Sequence, residues 1–328
     1  MDSVLKFRNG IYGFLALWIL FFHVETRVGM DCFIPLLTPF VQLGNFGVDV
    51  FLFLSGFCLC FSLKKDSNTL NFYSKRFKRV VIAYLIISIP FFIWKSIEEI
   101  SSMRVAHFVY DLSGLSFWFS GCLNAWFVEA ILLFYVLTPL FFYIIKKGKL
   151  YAAVLILAVY AINLLGHYEL TALYEKSAIA WTRLPIFIIG IATAYYYPDF
   201  ESFKGVKIVT VVCALLAVVL MMIVPHSLSG FRYWLMYAVM VIPAIWVMNM
   251  LFEFLPSTIT NVFGKIGKVS LEIYLVHIMT LHVFTFYELN STIGQWMYLL
   301  LPSITLPLSF VVSRISSNII TNKKVTKQ

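Results

Sequence analysis

The chain is 328 residues long, 61% hydrophobic and only 12% charged, with a mean hydropathy of +0.88. Ordinary soluble domains do not have that composition; polytopic membrane proteins do. The formal net charge of +9 raises nucleic acid as a partner, but the placement of the charges assigns them to membrane topology instead.

A helix needs about 20 apolar residues to cross the hydrocarbon layer. Ten segments qualify: 10–27, 46–63, 80–97, 123–145, 151–166, 179–197, 207–225, 231–252, 269–287 and 295–313. They are continuously apolar rather than alternating, which excludes a closed β-barrel. The first resembles a secretory signal in having Lys6 and Arg8 ahead of an apolar run. However, His23-Val24-Glu25-Thr26 stands where a small-residue cleavage site would, so the sequence predicts a retained span. With the N-terminus cytoplasmic, all but six of the 25 Lys and Arg residues fall on inner segments; the six are Arg27, Lys95, Arg104, Lys176, Arg183 and Arg232. This asymmetry predicts an all-α polytopic membrane protein of about ten spans, both termini cytoplasmic, with residues 1–328 forming a single integral membrane domain. The longest outer connection, 98–122, predicts a short interfacial helix with Val105, Phe108, Val109 and Leu112 on one side. No internal repeat or low-complexity tract is visible.

Ionisable residues interrupt these apolar runs. A charge inside the bilayer costs about 3 kcal/mol or more, so such residues face a cavity or a partner and often mark a site of chemistry. Topology sets their depth. His23 and Asp49 fall near the outer ends of spans one and two, Glu129 about two turns below the surface and Arg183 about one turn deep. On span nine, Glu272 lies near the cytoplasm, His277 mid-membrane and His282 further out. A His beside an Asp is a base arrangement, because the carboxylate fixes the imidazole tautomer and stabilises the imidazolium. No Ser or Cys nucleophile with a matching base is visible, which favours direct transfer to a hydroxyl over an acyl-enzyme. Each residue also has a structural reading. His23 can be an interfacial side chain, Asp49 an N-cap of the second span, and Glu129 with Arg183 a structural ion pair. His107, His167 and His226 fall in predicted loops and are expected to be solvated.

On the cytoplasmic side, Lys75-Arg76-Phe77-Lys78-Arg79 precedes span three. Arg76 and Arg79, at i and i+3, share a helix face. Paired guanidiniums suit phosphate, while the same cluster also suits anchoring to anionic lipid. The five Cys residues show no metal spacing. Cys58 and Cys60 sit in an apolar run, and a Cys32–Cys122 disulfide outside the membrane is permitted but not dictated.

Several of these segments together resemble the acyltransferase-3 family of integral membrane O-acyltransferases, over most of the chain. The most specific match runs from Gly44-Asn45-Phe46-Gly47-Val48-Asp49-Val50-Phe51 to Ser55-Gly56-Phe57. Others are Arg8-Asn9-Gly10 through His23, Arg76 to Arg79 as R-x-x-R, Trp126-Phe127 through Tyr135 and Pro139, Arg183-Leu184-Pro185 through Gly190, and Ser270 through Tyr274-Leu275-Val276-His277. The resemblance implies His23 as catalytic residue, which Asp49 would orient. It implies an acyl-CoA donor, usually acetyl-CoA, held by Arg76 and Arg79 with Lys75 beside them. Arg183, Glu129, Tyr274 and His277 are candidates for substrate or oxyanion contacts, and no metal is implied. The acceptor class implied is a surface-polysaccharide or lipid-linked glycan, at the bacterial inner membrane. The chain departs from many members at Tyr12, where they carry Arg or Lys eleven residues before the His, and Arg8 lies one turn earlier. The esterase-like domain fused in some members is not expected here. The rival reading is a transporter or flippase for a glycan or lipid intermediate, for which Pro90, Pro139, Pro185 and Pro243 would break helices.

Overall fold

The computed structural model describes residues 3–29, 32–66, 68–99, 103–169, 171–198 and 229–325, together with parts of 208–219. The predicted seventh span, 207–225, falls for the most part outside the described residues, and His226, Lys204 and Lys207 lie wholly outside them.

The described chain is helical, with no strand among the described residues. In order, the helices are α1 (Ser3–Val28), α2 (Thr38–Gln42, flanked by 3-10 turns Pro35–Leu37 and Leu43–Asn45), α3 (Phe46–Lys65), α4 (Thr69–Glu98), α5 (Arg104–Leu112), α6 (Leu115–Ser120), α7 (Trp126–Lys146), α8 (Lys149–Glu169), α9 (Thr171–Trp181), α10 (Leu184–Tyr196), α11 (Ser229–Phe254), α12 (Ser257–Lys268), α13 (Ser270–Phe286), α14 (Leu289–Ile293) and α15 (Met297–Val325). Eight stretches among the described residues are long and apolar enough to cross a membrane, and α12 with α13 adds a ninth as one broken span. The protein is therefore an all-α, multi-pass membrane protein. Every predicted span outside 207–225 has a helical counterpart. The predicted interfacial helix is α5, and His107 lies on it, exposed, rather than in a loop. His167 likewise belongs to the last turn of α8. The helical pattern extends through both positions because nothing in those stretches breaks it.

The described residues group into two compact units. One comprises Met1–Leu15, Phe46–Phe72 and Phe134–Gly267, the other Ala16–Asn45, Tyr73–Leu133 and Lys268–Gln328.

In the first unit, α3 packs closely on α10 through two glycines. A Cβ on Gly56 would collide with the Phe187 carbonyl, and one on Gly190 with the Phe53 carbonyl. Helices in lipid lack a hydrophobic drive to associate, so such small residues let backbones approach and gain dispersion contact. The same device recurs between the start of α1 and α12, where Gly13 faces the Phe263 carbonyl and Gly267 the Asn9 carbonyl. Lys64, at the end of α3, donates from Nζ to the carbonyls of Ala194 and Tyr195, each at 3.2 Å. It thereby satisfies carbonyls that the end of α10 leaves open. Leu150, Val154, Leu157 and Leu165 of α8 are exposed along one face, the face that lipid covers.

In the second unit, α13 packs on α15. Trp18 stacks on Phe40 with ring centroids 4.6 Å apart, and its Nε1–H donates to the Phe40 carbonyl at 2.7 Å. This ties the 3-10 and α2 segment back to α1. The α5–α6 hairpin is clamped to α4 by Lys95 and Asp111 at 2.8 Å, and by the Tyr84 hydroxyl donating to the Leu112 carbonyl at 3.1 Å. Gly114 and Gly121, with φ of +78° and +75°, make the left-handed turns on either side of α6. Cys32 and Cys122 are both free thiols.

Candidate functional site

The second unit brings together two imidazoles from opposite ends of the chain. His23 lies on α1, five residues from its end, and His277 two turns into α13. His277 Nε2 and His23 Nδ1 are 3.1 Å apart, and His277 Nδ1 lies 2.7 Å from the carbonyl of Ile273, one turn back on its own helix. A carbonyl only accepts, so His277 Nδ1 carries a proton. With both rings neutral, His277 Nε2 is then the acceptor, and the bridging proton belongs to His23 Nδ1. That places the free lone pair of His23 on Nε2. His277 is buried at 1% exposure, and His23 as a residue is half-buried.

Tyr274, one turn before His277, packs its ring 5.9 Å from the His277 ring. Its hydroxyl accepts from the Phe127 backbone N–H at 3.1 Å, which satisfies one of the open donors in the first turn of α7 and leaves the phenol proton to donate elsewhere. Glu129 occupies the same first turn. It is buried, and its Oε2 has no hydrogen-bond partner among the described residues. A Cβ on Gly114 would press 3.0 Å from the Glu129 Cγ, so the glycine turn is moulded to this side chain.

The first unit holds Asp49 and Arg183. Asp49 sits in the first turn of α3. Arg183 precedes α10 at the break after α9, which Pro185 fixes as a helix start. Arg183 Nε approaches Asp49 Oδ2 at 3.6 Å, with the two side chains 2% and 0% exposed. Arg183 Nη1 also donates to the Ile179 carbonyl at 3.0 Å. The acidic partner of Arg183 is thus Asp49, not the Glu129 that its depth in the sequence pairs with it. Tyr12, the departure from the family pattern, stacks on Phe51 at 4.8 Å and shares a hydrogen bond with Ser55. Arg8, one turn earlier, reaches Asn9 Oδ1 and lies 3.9 Å from Cys58 Sγ.

The basic cluster lies in the first half of α4, belonging to the second unit. Lys75 and Arg79 are exposed and Arg76 half-buried. Arg79 Nη2 donates to the Lys268 carbonyl at 3.0 Å, a cation at the C-terminus of α12. Behind it lies Glu272, buried at 3% exposure, which acts on Arg79 through its charge and hydrogen-bonds Ser313 of α15. Among the described residues, no three His, Cys, Asp or Glu side chains converge to hold a metal ion.

Sequence reasoning did not anticipate the His23–His277 contact or the tie from Arg79 to the end of α12. The available signal was the Tyr274–His277 spacing, which puts phenol and imidazole on one helix face.

The acyltransferase-3 family model, described as an acyltransferase domain, matches residues 9–314. Comparison with curated proteins and with solved structures gives no match.

Proposed function

The chain belongs to the acyltransferase-3 family, and from that premise we propose that it transfers an acetyl group from cytoplasmic acetyl-CoA to a hydroxyl of a surface-polysaccharide or lipid-linked glycan. The setting is the bacterial inner membrane. The protein is a membrane acyltransferase; the donor, the acceptor and the setting are the proposal.

The observation that carries the mechanism is the 3.1 Å contact between His23 and His277. His23 Nε2 takes the proton of the acceptor hydroxyl as its oxygen attacks the thioester carbonyl. The C–O bond forms, the tetrahedral intermediate collapses, and the C–S bond breaks. The proton then passes from His23 to the departing thiolate, giving the O-acetyl ester and free CoA. In this reading His277 is a positioning residue, since accepting from His23 Nδ1 holds the reactive tautomer. His277 is the contact that orients His23 in this reading, and Asp49 pairs with Arg183. The phenol proton of Tyr274 supplies a donor for the oxyanion. Glu129, close by on α7, suits contact with acceptor hydroxyls. Arg76, Arg79 and Lys75 supply the cations for the phosphates of CoA, Arg79 being held in place from Lys268 and Glu272.

Mass spectrometry of the host's surface glycan tests this. Cells carrying His23→Ala should lose O-acetylation that wild-type cells retain. Undiminished acetylation with a stably inserted variant removes His23 as the base.

A further inference from the structure

The outer ends of α4 and α13 carry a second acid–base pair that the transfer step does not use. His282 Nε2 donates to Glu99 Oε1 at 2.5 Å, with the side chains 24% and 21% exposed. Around them stand Phe91, Trp94, Phe286 and Tyr287. The His282 ring meets Phe91 at 5.4 Å and Trp94 at 6.1 Å, both edge to face. Trp94 packs against Phe286 at 5.3 Å, and its Nε1–H donates to the Tyr287 hydroxyl at 3.2 Å. His282 lies five residues beyond His277, roughly 140° further around α13, so the two imidazoles serve different faces. Trp94 lies roughly 22 Å beyond Arg79 along α4, most of the thickness of a bilayer core away from the cationic end.

We propose that Trp94, Glu99, His282 and Tyr287 form a sugar-binding subsite that holds a ring of the acceptor glycan on the face of the membrane opposite the basic cluster. The proposal rests on the reading of the acceptor as a glycan. The chemistry selects such a ligand. With Nε2–H committed to Glu99, the carboxylate's remaining lone pairs accept, Nδ1 of a neutral His282 ring accepts, and the Tyr287 hydroxyl donates from an oxygen already accepting from Trp94. Vicinal sugar hydroxyls match that set, and the apolar C–H face of a sugar ring suits an indole or phenol beside it. An acyl chain would offer nothing to the carboxylate's remaining lone pairs or to His282 Nδ1. A phosphate would meet the Glu99 charge. The His282 ring fills the space against Phe91 and Trp94, leaving no cage for a quaternary ammonium.

The test uses the full chain in lipid nanodiscs with acetyl-CoA and, as acceptor, the host's own surface polysaccharide stripped of acetyl esters by mild alkali. Glu99→Gln and Trp94→Leu should raise the KM for polysaccharide about tenfold, as expected for losing one charge-assisted hydrogen bond or one aromatic contact. The KM for acetyl-CoA and kcat should stay within about twofold. Tyr287→Phe, at a site 49% exposed, should raise the same KM about threefold, and it carries the test if the other variants do not fold. An unchanged polysaccharide KM in the folded variants overturns the subsite. A wild-type protein that acetylates a hydroxylated lipid but not the polysaccharide overturns the glycan reading itself, and the subsite with it.

Discussion

Asp49 and Arg183 face each other at 3.6 Å with almost no exposure, so each keeps the other's charge from standing alone in the interior. Removing one partner of a buried pair destabilises by about 3–5 kcal/mol, whereas replacing both by apolar side chains of similar volume is often neutral. Asp49→Leu or Arg183→Met alone should therefore lower the apparent Tm in detergent sharply. The double variant should recover most of the loss. A double variant no more stable than the worse single one would contradict this pairing.

The imidazole pair predicts a graded response at His277. A positioned general base contributes about 10²–10⁴-fold to rate, so His23→Ala should lose activity within that range. His277→Leu should approach it, because His23 Nδ1 then loses its imidazole acceptor. His277→Gln keeps an acceptor oxygen and should retain more activity than His277→Leu. Single-turnover acetyl transfer measures this, and equal losses in the two His277 variants would deny the positioning role.

Arg79 donates to the Lys268 carbonyl beside the buried Glu272. Arg79→Ala should raise the KM for acetyl-CoA by about 10–100-fold, the range of a lost charge-assisted hydrogen bond, with a smaller effect on kcat. Glu272→Gln should raise the same KM less, because the guanidinium remains while its orientation loosens. Initial rates at saturating acceptor provide the readout.

Glycines in the helices predict opposite signs at different positions. Gly190→Ala forces a methyl onto the backbone carbonyl of Phe53, and overpacking of that kind destabilises by about 1–3 kcal/mol. Gly264→Ala on α12 meets nothing within 4 Å. It should stabilise by about 0.4–1 kcal/mol by narrowing the unfolded ensemble. Folded yield and apparent Tm separate the two.

Much of this architecture is legible in the residues themselves. The spans follow from apolar runs long enough to cross a bilayer, and α5 from the apolar face through Val105 and Val109. The gathering of chemistry is less so. His23 and His277 are separated by 254 positions in sequence, and span depth alone places one near the surface and the other mid-membrane. The contact between the two rings puts them at one depth instead. Counting residues from the ends of separately drawn spans does not fix how two helices slide past one another. Arg183 looks like a partner for Glu129 by depth, yet Gly56 and Gly190 draw α3 onto α10 and deliver Asp49 instead. Backbone approach of that kind is visible only once the two helices are paired.

The bond from His277 Nδ1 to the Ile273 carbonyl also closes the imidazole chain at its inner end. A peptide oxygen does not take up a proton and pass it on, so a charge lifted from an acceptor cannot be handed inward along α13. In the proposed mechanism it returns to the departing sulfur or to bulk water. Under the proposed mechanism, the transfer can then proceed without carrying protons along α13.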